Sequence, residues 1–193
     1  KGNVVNPEKE VKEYGADTVR LYLGFIGPYD IVAPWNPGGI HGVYHFLQRV
    51  WGLQEKLESR IKSQEPREDL RMMHKTIKKV GEDLEAIKFN TAIASLMEWL
   101  NYLSKEEKGI SRKEYKTFLL LLSPFAPHMT EELWVAALGE KYSIHNQSWP
   151  EFDNKYLEEE EVKVAIQING RIRDLILIQK DILSNKEVVE KMA

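Results

Sequence analysis

The sequence predicts a mainly α fold, an antiparallel helix bundle followed by a small β-hairpin and helix. Between residues 40 and 138, apolar side chains recur at three- and four-residue steps over five successive stretches, the period of amphipathic helices. After residue 161 the period falls to two, as in a half-buried strand, and Asn169-Gly170 supplies a hairpin turn. Proline and glycine crowd Gly27-Pro28 and the run from Ala33 to Gly39, which separates the bundle from what precedes it.

Residues 1–39 are loop-rich. Asn6-Pro7 opens a short helix over residues 8–14 that Gly15 stops, and Asp17 is expected to cap a second helix carrying Val19, Leu21, Tyr22 and Phe25. Gly38-Gly39 reads as a flexible entry to the first long helix. There Val43, Phe46, Leu47, Val50, Leu53, Leu57 and Ile61 share one stripe, with Tyr44 and Trp51 at its edge read as core aromatics. In the second, Leu70, Met73, Ile77, Val80, Leu84 and Ile87 form a bundle seam, and Phe89-Asn90 is expected to break it. Ala92, Ile93, Leu96, Leu100 and Leu103 mark a third. Ser111, with Glu114 three residues on, is a capping box for the fourth. Pro124 and Pro127 interrupt before a fifth over residues 128–138. Five helices with short joins make a bundle.

The tail differs. Glu158 to Glu161 form a solvated hinge, and Ser184 with Glu187 starts a last helix. A two-residue Asn169-Gly170 turn would set Arg171 opposite Ile168 and Arg173 opposite Ile166, driving both charges into the apolar side. A three-residue loop of Ile168, Asn169 and Gly170, with a left-handed glycine bulge, instead pairs Ile166 with Ile172 and Val162 with Ile176. That register is expected, and it gathers Arg171 and Arg173 on one basic face suited to RNA. The division expected is 1–39, 40–150 for the bundle, and 151–193 for a linker and an incomplete α/β domain.

Composition narrows the function. The 193 residues are 42% hydrophobic and 30% charged, enough for one sizeable core. A formal net charge of −3 excludes a polybasic binder, so nucleic-acid contact must come from local stripes. Without cysteine there are no disulfides or thiolate zinc sites, and His41 and His45 lack a metal-binding context, so no metal is expected. No apolar run approaches the ~18 residues of a membrane span, and no secretory signal is visible. Neither a membrane nor DNA is expected as a partner. Since no phosphate-cradling loop, nucleophile elbow or metal triad is present, no catalytic residue is expected. The chain begins with Lys1 and is expected to be a piece of a longer one.

Basic stripes are the candidate sites. Opposite the apolar stripe of the first long helix stand His41, His45, Gln48, Gly52 and Lys56, with Arg49 at the edge. On the second, Arg67, Arg71, His74, Lys75 and Lys78 recur along one side. Donors at this spacing on a rigid helix suit a phosphate backbone, while the same pattern also suits a solvated face.

Three stretches carry a family resemblance. Lys1-Gly2-Asn3-Val4-Val5-Asn6-Pro7, with Glu13-Tyr14-Gly15-Ala16-Asp17-Thr18-Val19-Arg20, resembles the segment just after the Lys-Met-Ser-Lys-Ser signature of class I aminoacyl-tRNA synthetases. The run from Ser123-Pro124-Phe125-Ala126-Pro127-His128 to Trp134 resembles the anticodon-binding bundle of the leucyl, isoleucyl, valyl and methionyl enzymes. The first long helix, and the hairpin Val164 to Asp174 with its Asn169-Gly170-Arg171-Ile172-Arg173, are similar to the bacterial-type leucyl enzymes.

That resemblance implies a bundle of the class I anticodon-binding type within an enzyme that charges tRNA-Leu with leucine, using ATP with magnesium, in the cytoplasm. It implies that this piece docks tRNA and does not itself catalyse or hold a cofactor. Lys1, Gly2 and Asn3 would only flank the ATP loop, and the rest of the synthetase chain would be the other partner. The implied tRNA contacts are Arg49, His45, Gln48, Lys56, Arg71, Lys75, Lys78, Arg171 and Arg173; at position 45 the family often has Arg. The other readings are a stand-alone RNA-binding or scaffold module, and a piece of an isoleucyl or valyl enzyme.

Overall fold

The computed structural model describes residues 5–63, 70–106, 109–157, 161–168 and 171–179; for 58–63 and the two strands it describes the backbone alone. Two compact units divide the chain, Lys1–Phe152 and Asp153–Ala193.

Helix α1 (Pro7–Tyr14) starts as expected: the Asn6 side chain accepts the Glu8 N–H at 3.0 Å and Pro7 fills the first position. Gly15, at φ 87°, turns the chain into α2 (Ala16–Phe25). Gly15 is also the N-cap of α2, so the expectation for Asp17 is corrected. Asp17 lies inside the first turn, buried, and its carboxylate binds the Met129 N–H and the His128 ring instead. Beyond α2 the connector folds back: the Tyr22 hydroxyl donates to the Asn36 carbonyl at 2.8 Å and accepts the Asn36 N–H at 3.1 Å.

Helix α3 (Pro37–Ser63) begins under an Asn36 side chain that accepts the Gly38 N–H. Gly39 is no flexible entry. A Cβ there would lie 2.9 Å from the Tyr22 ring, so glycine is what lets α3 start against α2. The apolar stripe from Val43 to Leu57 is buried as expected, whereas Trp51 is 44% exposed and Tyr44 half-buried. The core reading of Trp51 is therefore corrected: it sits past the edge of the stripe.

Helix α4 (Arg71–Glu85) buries Met73, Ile77 and Val80, but its inner face drifts toward Thr76 and Asp83. Leu84 is left half-buried and Ile87 half exposed, so the seam ends earlier than its spacing suggests. The break comes at Ala86 to Lys88, where Ile87 takes φ 56°, and Phe89-Asn90 opens the next helix instead of breaking the last.

Helix α5 (Phe89–Lys105) is the centre of the bundle. Its Ala92, Ile93, Leu96, Trp99, Leu100 and Leu103 are all fully buried, and it packs on α2, α3, α4 and α6 (Arg112–Leu122). Each such large side chain contributes about 1.5–3 kcal/mol of burial. The α6 capping box forms as expected, with Ser111 Oγ accepting the Glu114 N–H at 3.2 Å and Glu114 accepting the Ser111 N–H at 3.0 Å. Helix α7 (Pro127–Glu132) runs into one π-turn, Leu133–Ala137. Trp134 is buried in that turn and donates to the Lys141 carbonyl at 3.1 Å.

Strands β1 (Glu161–Ile168) and β2 (Arg171–Gln179) pair antiparallel, and the expected register is corrected. Ile168 pairs with Arg171 and Gln167 with Ile172, the two-residue-turn register; then Ile166 pairs with Asp174, Val164 with Ile176 and Val162 with Ile178. The bulge exists, but it lies at Arg173 on β2 instead of at the loop. The extra residue restores even-with-even pairing after the first two pairs, so the mismatched pairs are confined to the hairpin's end. Asn169, Gly170 and the expected last helix lie outside the described residues.

Candidate nucleic-acid interface

Burying Val43, Phe46, Leu47 and Val50 obliges α3 to turn His41, His45, Gln48 and Arg49 outward, and all four are exposed. Arg49 is held by α5: its Nη2 donates to Asn101 Oδ1 at 2.8 Å and Ser104 Oγ at 3.1 Å, while the side chain stays at the surface. His45 Nδ1 and Gln48 Oε1 lie 3.0 Å apart, one turn along the same helix. At the start of α3, the Tyr14 hydroxyl meets His41 Nε2 at 3.3 Å, and the Tyr14 ring stands edge-on to both His41 and Tyr44.

Lys56 departs from the expected set. Its ammonium donates to the carbonyls of Ser104 at 2.7 Å and Glu106 at 2.9 Å, closing the C-terminal end of α5. Its charge is spent inside the fold and not on the open ridge.

On α4, Arg71, Lys75 and Lys78 are exposed along one side as expected, but His74 is 5% exposed and leaves the stripe. It lies on the side of α4 that packs on α6, in one wall with Arg112, Lys116 and Thr117. Lys78 lies 3.9 Å from Glu82, a pair of little worth in solvent, and 5.8 Å above the Phe152 ring. Phe152 and Trp149 help wall a groove of about 640 Å³ along α4, where Glu82, Glu85 and Glu151 outnumber Lys78. Helix α5 packs on both α3 and α4, so the two basic ridges flank a common partner. Lys1, Gly2, Asn3 and Arg67 lie outside the described residues; for Arg171 and Arg173 only the backbone is described, with Arg173 the bulge residue.

Sequence reasoning missed a third basic group. Arg112 and Lys116, one turn apart on α6, both reach Glu140, at 2.8 and 3.0 Å, and Lys116 sits 5.1 Å above the Trp134 ring. Hydrogen bonds from Lys116 and then Arg112 hold the Glu140 carboxyl below its ordinary value. The i, i+4 spacing of the two cations was the available signal, but their shared carboxylate lies over twenty residues away. Among the described residues no cluster of His, Asp and Glu could hold a metal ion, and no helix is long and apolar enough to cross a membrane.

These helices match known proteins. Residues 67–189 match the model of the family described as "Anticodon-binding domain of tRNA ligase", more than half of the chain. The chain is 44% identical to the leucine–tRNA ligase of Borreliella afzelii (strain PKo) over 192 residues, 99% of this chain. It is 47% identical to that of Pelodictyon phaeoclathratiforme (strain DSM 5477 / BU-1) over 182 residues, 92% of this chain. It spans 22% of the length of either relative. The fold is similar to part of the AgnB2 LeuRS of Agrobacterium radiobacter K84, from a LeuRS-tRNA-LeuAMS ternary complex. That likeness has a TM-score of 0.78 at 31% identity and covers 100% of this chain and 28% of the other. With the bundle, its capped helices and these likenesses in agreement, the chain belongs to the anticodon-binding domain family of tRNA ligases.

Proposed function

We propose that this chain is the tRNA-docking part of a leucine–tRNA ligase working in the cytoplasm. It holds tRNA-Leu while other parts of that ligase activate leucine with ATP and magnesium and transfer it to the tRNA. In this reading residues 1–39 form the tail of the catalytic domain, with Lys1, Gly2 and Asn3 flanking its ATP loop. Residues 40–150 form the docking bundle, and residues 151–193 a linker and the start of a further domain.

The observation that carries the reading is the outward ridge of α3, where Arg49 is fixed in place by Asn101 and Ser104 yet remains at the surface. A cation that is positioned without being neutralised suits a phosphate backbone, which is gripped by position more than by base identity. His45 and Gln48 extend that ridge, Arg71, Lys75 and Lys78 supply a second, and Arg171 and Arg173 add cations on the hairpin. Lys56 is left out because carbonyls already hold it.

The test is a filter-binding titration of the chain with tRNA-Leu and a non-cognate tRNA across a salt series. Expected is retention of tRNA-Leu that falls log-linearly with salt. Absence of salt-dependent retention would overturn the proposal.

A further inference from the structure

Two glycines on α3, Gly42 and Gly52, have no packing explanation among the described residues. Glycine is the weakest helix former after proline, and a 27-residue helix keeps one where something requires it. Elsewhere the requirement is visible: a Cβ at Gly39 would strike the Tyr22 ring at 2.9 Å, and one at Gly24 would press Ile93 at 3.2 Å. Among the described residues, a Cβ at Gly42 or Gly52 would meet nothing within 4 Å, and neither glycine has positive φ.

Both stand on the basic ridge. Gly42, His45, Arg49 and Gly52 follow one another at steps of three, four and three, so they share one line along the outer face. From Pro37 to Gln54 the helix carries no carboxylate, in a chain with 30 Asp and Glu. The line therefore offers a fixed guanidinium, an imidazole, bare backbone on either side of them, and no repulsive charge.

We infer that a sugar–phosphate backbone of the docked RNA crosses α3 along Gly42, His45, Arg49 and Gly52. The two glycines let it approach the helix closely enough for Arg49 to reach a phosphate directly. This rests on the docking function proposed above and selects α3 over α4 as the surface of closest approach. Charge complementarity names the occupant: a polyanion fits a carboxylate-free cationic line, whereas the neighbouring acidic groove on α4 repels one.

The test replaces Gly42 and Gly52 by Ala and by Gln in this chain. It reads thermal melting and filter binding to an in vitro transcribed tRNA-Leu. Since both sites are open, every variant should fold, and each Ala should raise Tm by about 2–4 °C. Affinity should move the other way, with each Gln losing about tenfold or more, the worth of a charged hydrogen bond held apart. Higher stability with weaker binding is the expected pair of results.

Unchanged affinity in the Gln variants, with Lys75→Ala still weakening binding, would overturn the inference and leave the docking function standing. A lower Tm would also overturn it, by showing that the fold itself needs these glycines. Wild-type chain that fails to bind the transcript would remove the docking function, and this inference with it.

Discussion

The carboxylate of Asp17, on α2, accepts the backbone N–H of Met129 at 2.7 Å and so caps α7, whose own N-cap, Ala126, has no side chain able to do so. Its other oxygen lies 2.7 Å from His128 Nδ1, and nearby Arg20 donates to the Pro124 carbonyl at 3.0 Å. Asp17→Ala should cost about 2–3 kcal/mol, the worth of a charged hydrogen bond and a lost cap. Asp17→Asn, which keeps an acceptor, should cost about half of that. Urea unfolding checks both; a loss under ~0.5 kcal/mol for the alanine would mean that α7 does not depend on this cap.

Tyr115 is fully buried and, among the described residues, its hydroxyl has no hydrogen-bond partner. Tyr115→Phe should therefore raise stability by about 1 kcal/mol, since a desolvated hydroxyl is removed without breaking a bond. Burial pushes this phenol up, and the Tyr14 phenol is pushed up to about 12, chiefly by its hydrogen bond with Glu13. Both hold their protons above the ordinary value of 10.0, so the folded chain binds more protons than the unfolded one from there upward. Stability is thus full below the ordinary phenol value and falls as pH rises toward 12. Unfolding free energies across that range should decline less steeply in the Phe variant.

Leu100 and Leu84 look alike in the heptad-like spacing but not in the fold. Leu100 is fully buried on α5, and Leu100→Ala should cost about 2–5 kcal/mol. Leu84 is half-buried on the wall of the α4 groove, so Leu84→Ala should cost about 1 kcal/mol. Equal losses in denaturant titrations would show that the groove closes over Leu84 in solution.

Lys75 and Lys56 separate docking from folding. Lys75→Ala should leave stability within about 0.5 kcal/mol and weaken tRNA binding, lowering the salt slope by about one unit. Lys56→Ala should cost about 1–3 kcal/mol by uncovering the carbonyls of Ser104 and Glu106, and leave the salt slope unchanged. The reverse pattern would move Lys56 back among the RNA contacts.

Helix positions, the Ser111 and Glu114 box and the outward line of α3 were legible in sequence because each follows from spacing within one helix. What was illegible depended on partners far along the chain. Asp17 has the side chain of an N-cap and stands near a helix start, but its carboxylate is taken by Met129, and nothing within α2 signals that. Lys56 lies on the polar face by periodicity, yet a four-carbon stem let it reach the end of α5. His74 is buried on the side of α4 that meets α6, a neighbour that the spacing within α4 does not reveal. In the hairpin, the cost of setting Arg173 against Ile166 was real, and it was relieved by a bulge at Arg173 and not by a longer loop. Pairing energetics fix the parity of such a register, not where the extra residue goes.

Arg49 and Lys56, two turns apart on α3, are both fastened to the same end of α5. A load applied sideways to the outer rod is therefore borne by the central one, which is itself wedged among α2, α4 and α6. Bending the rod would mean unseating the middle of the unit, so α3 is braced much as a beam is braced by struts to a column.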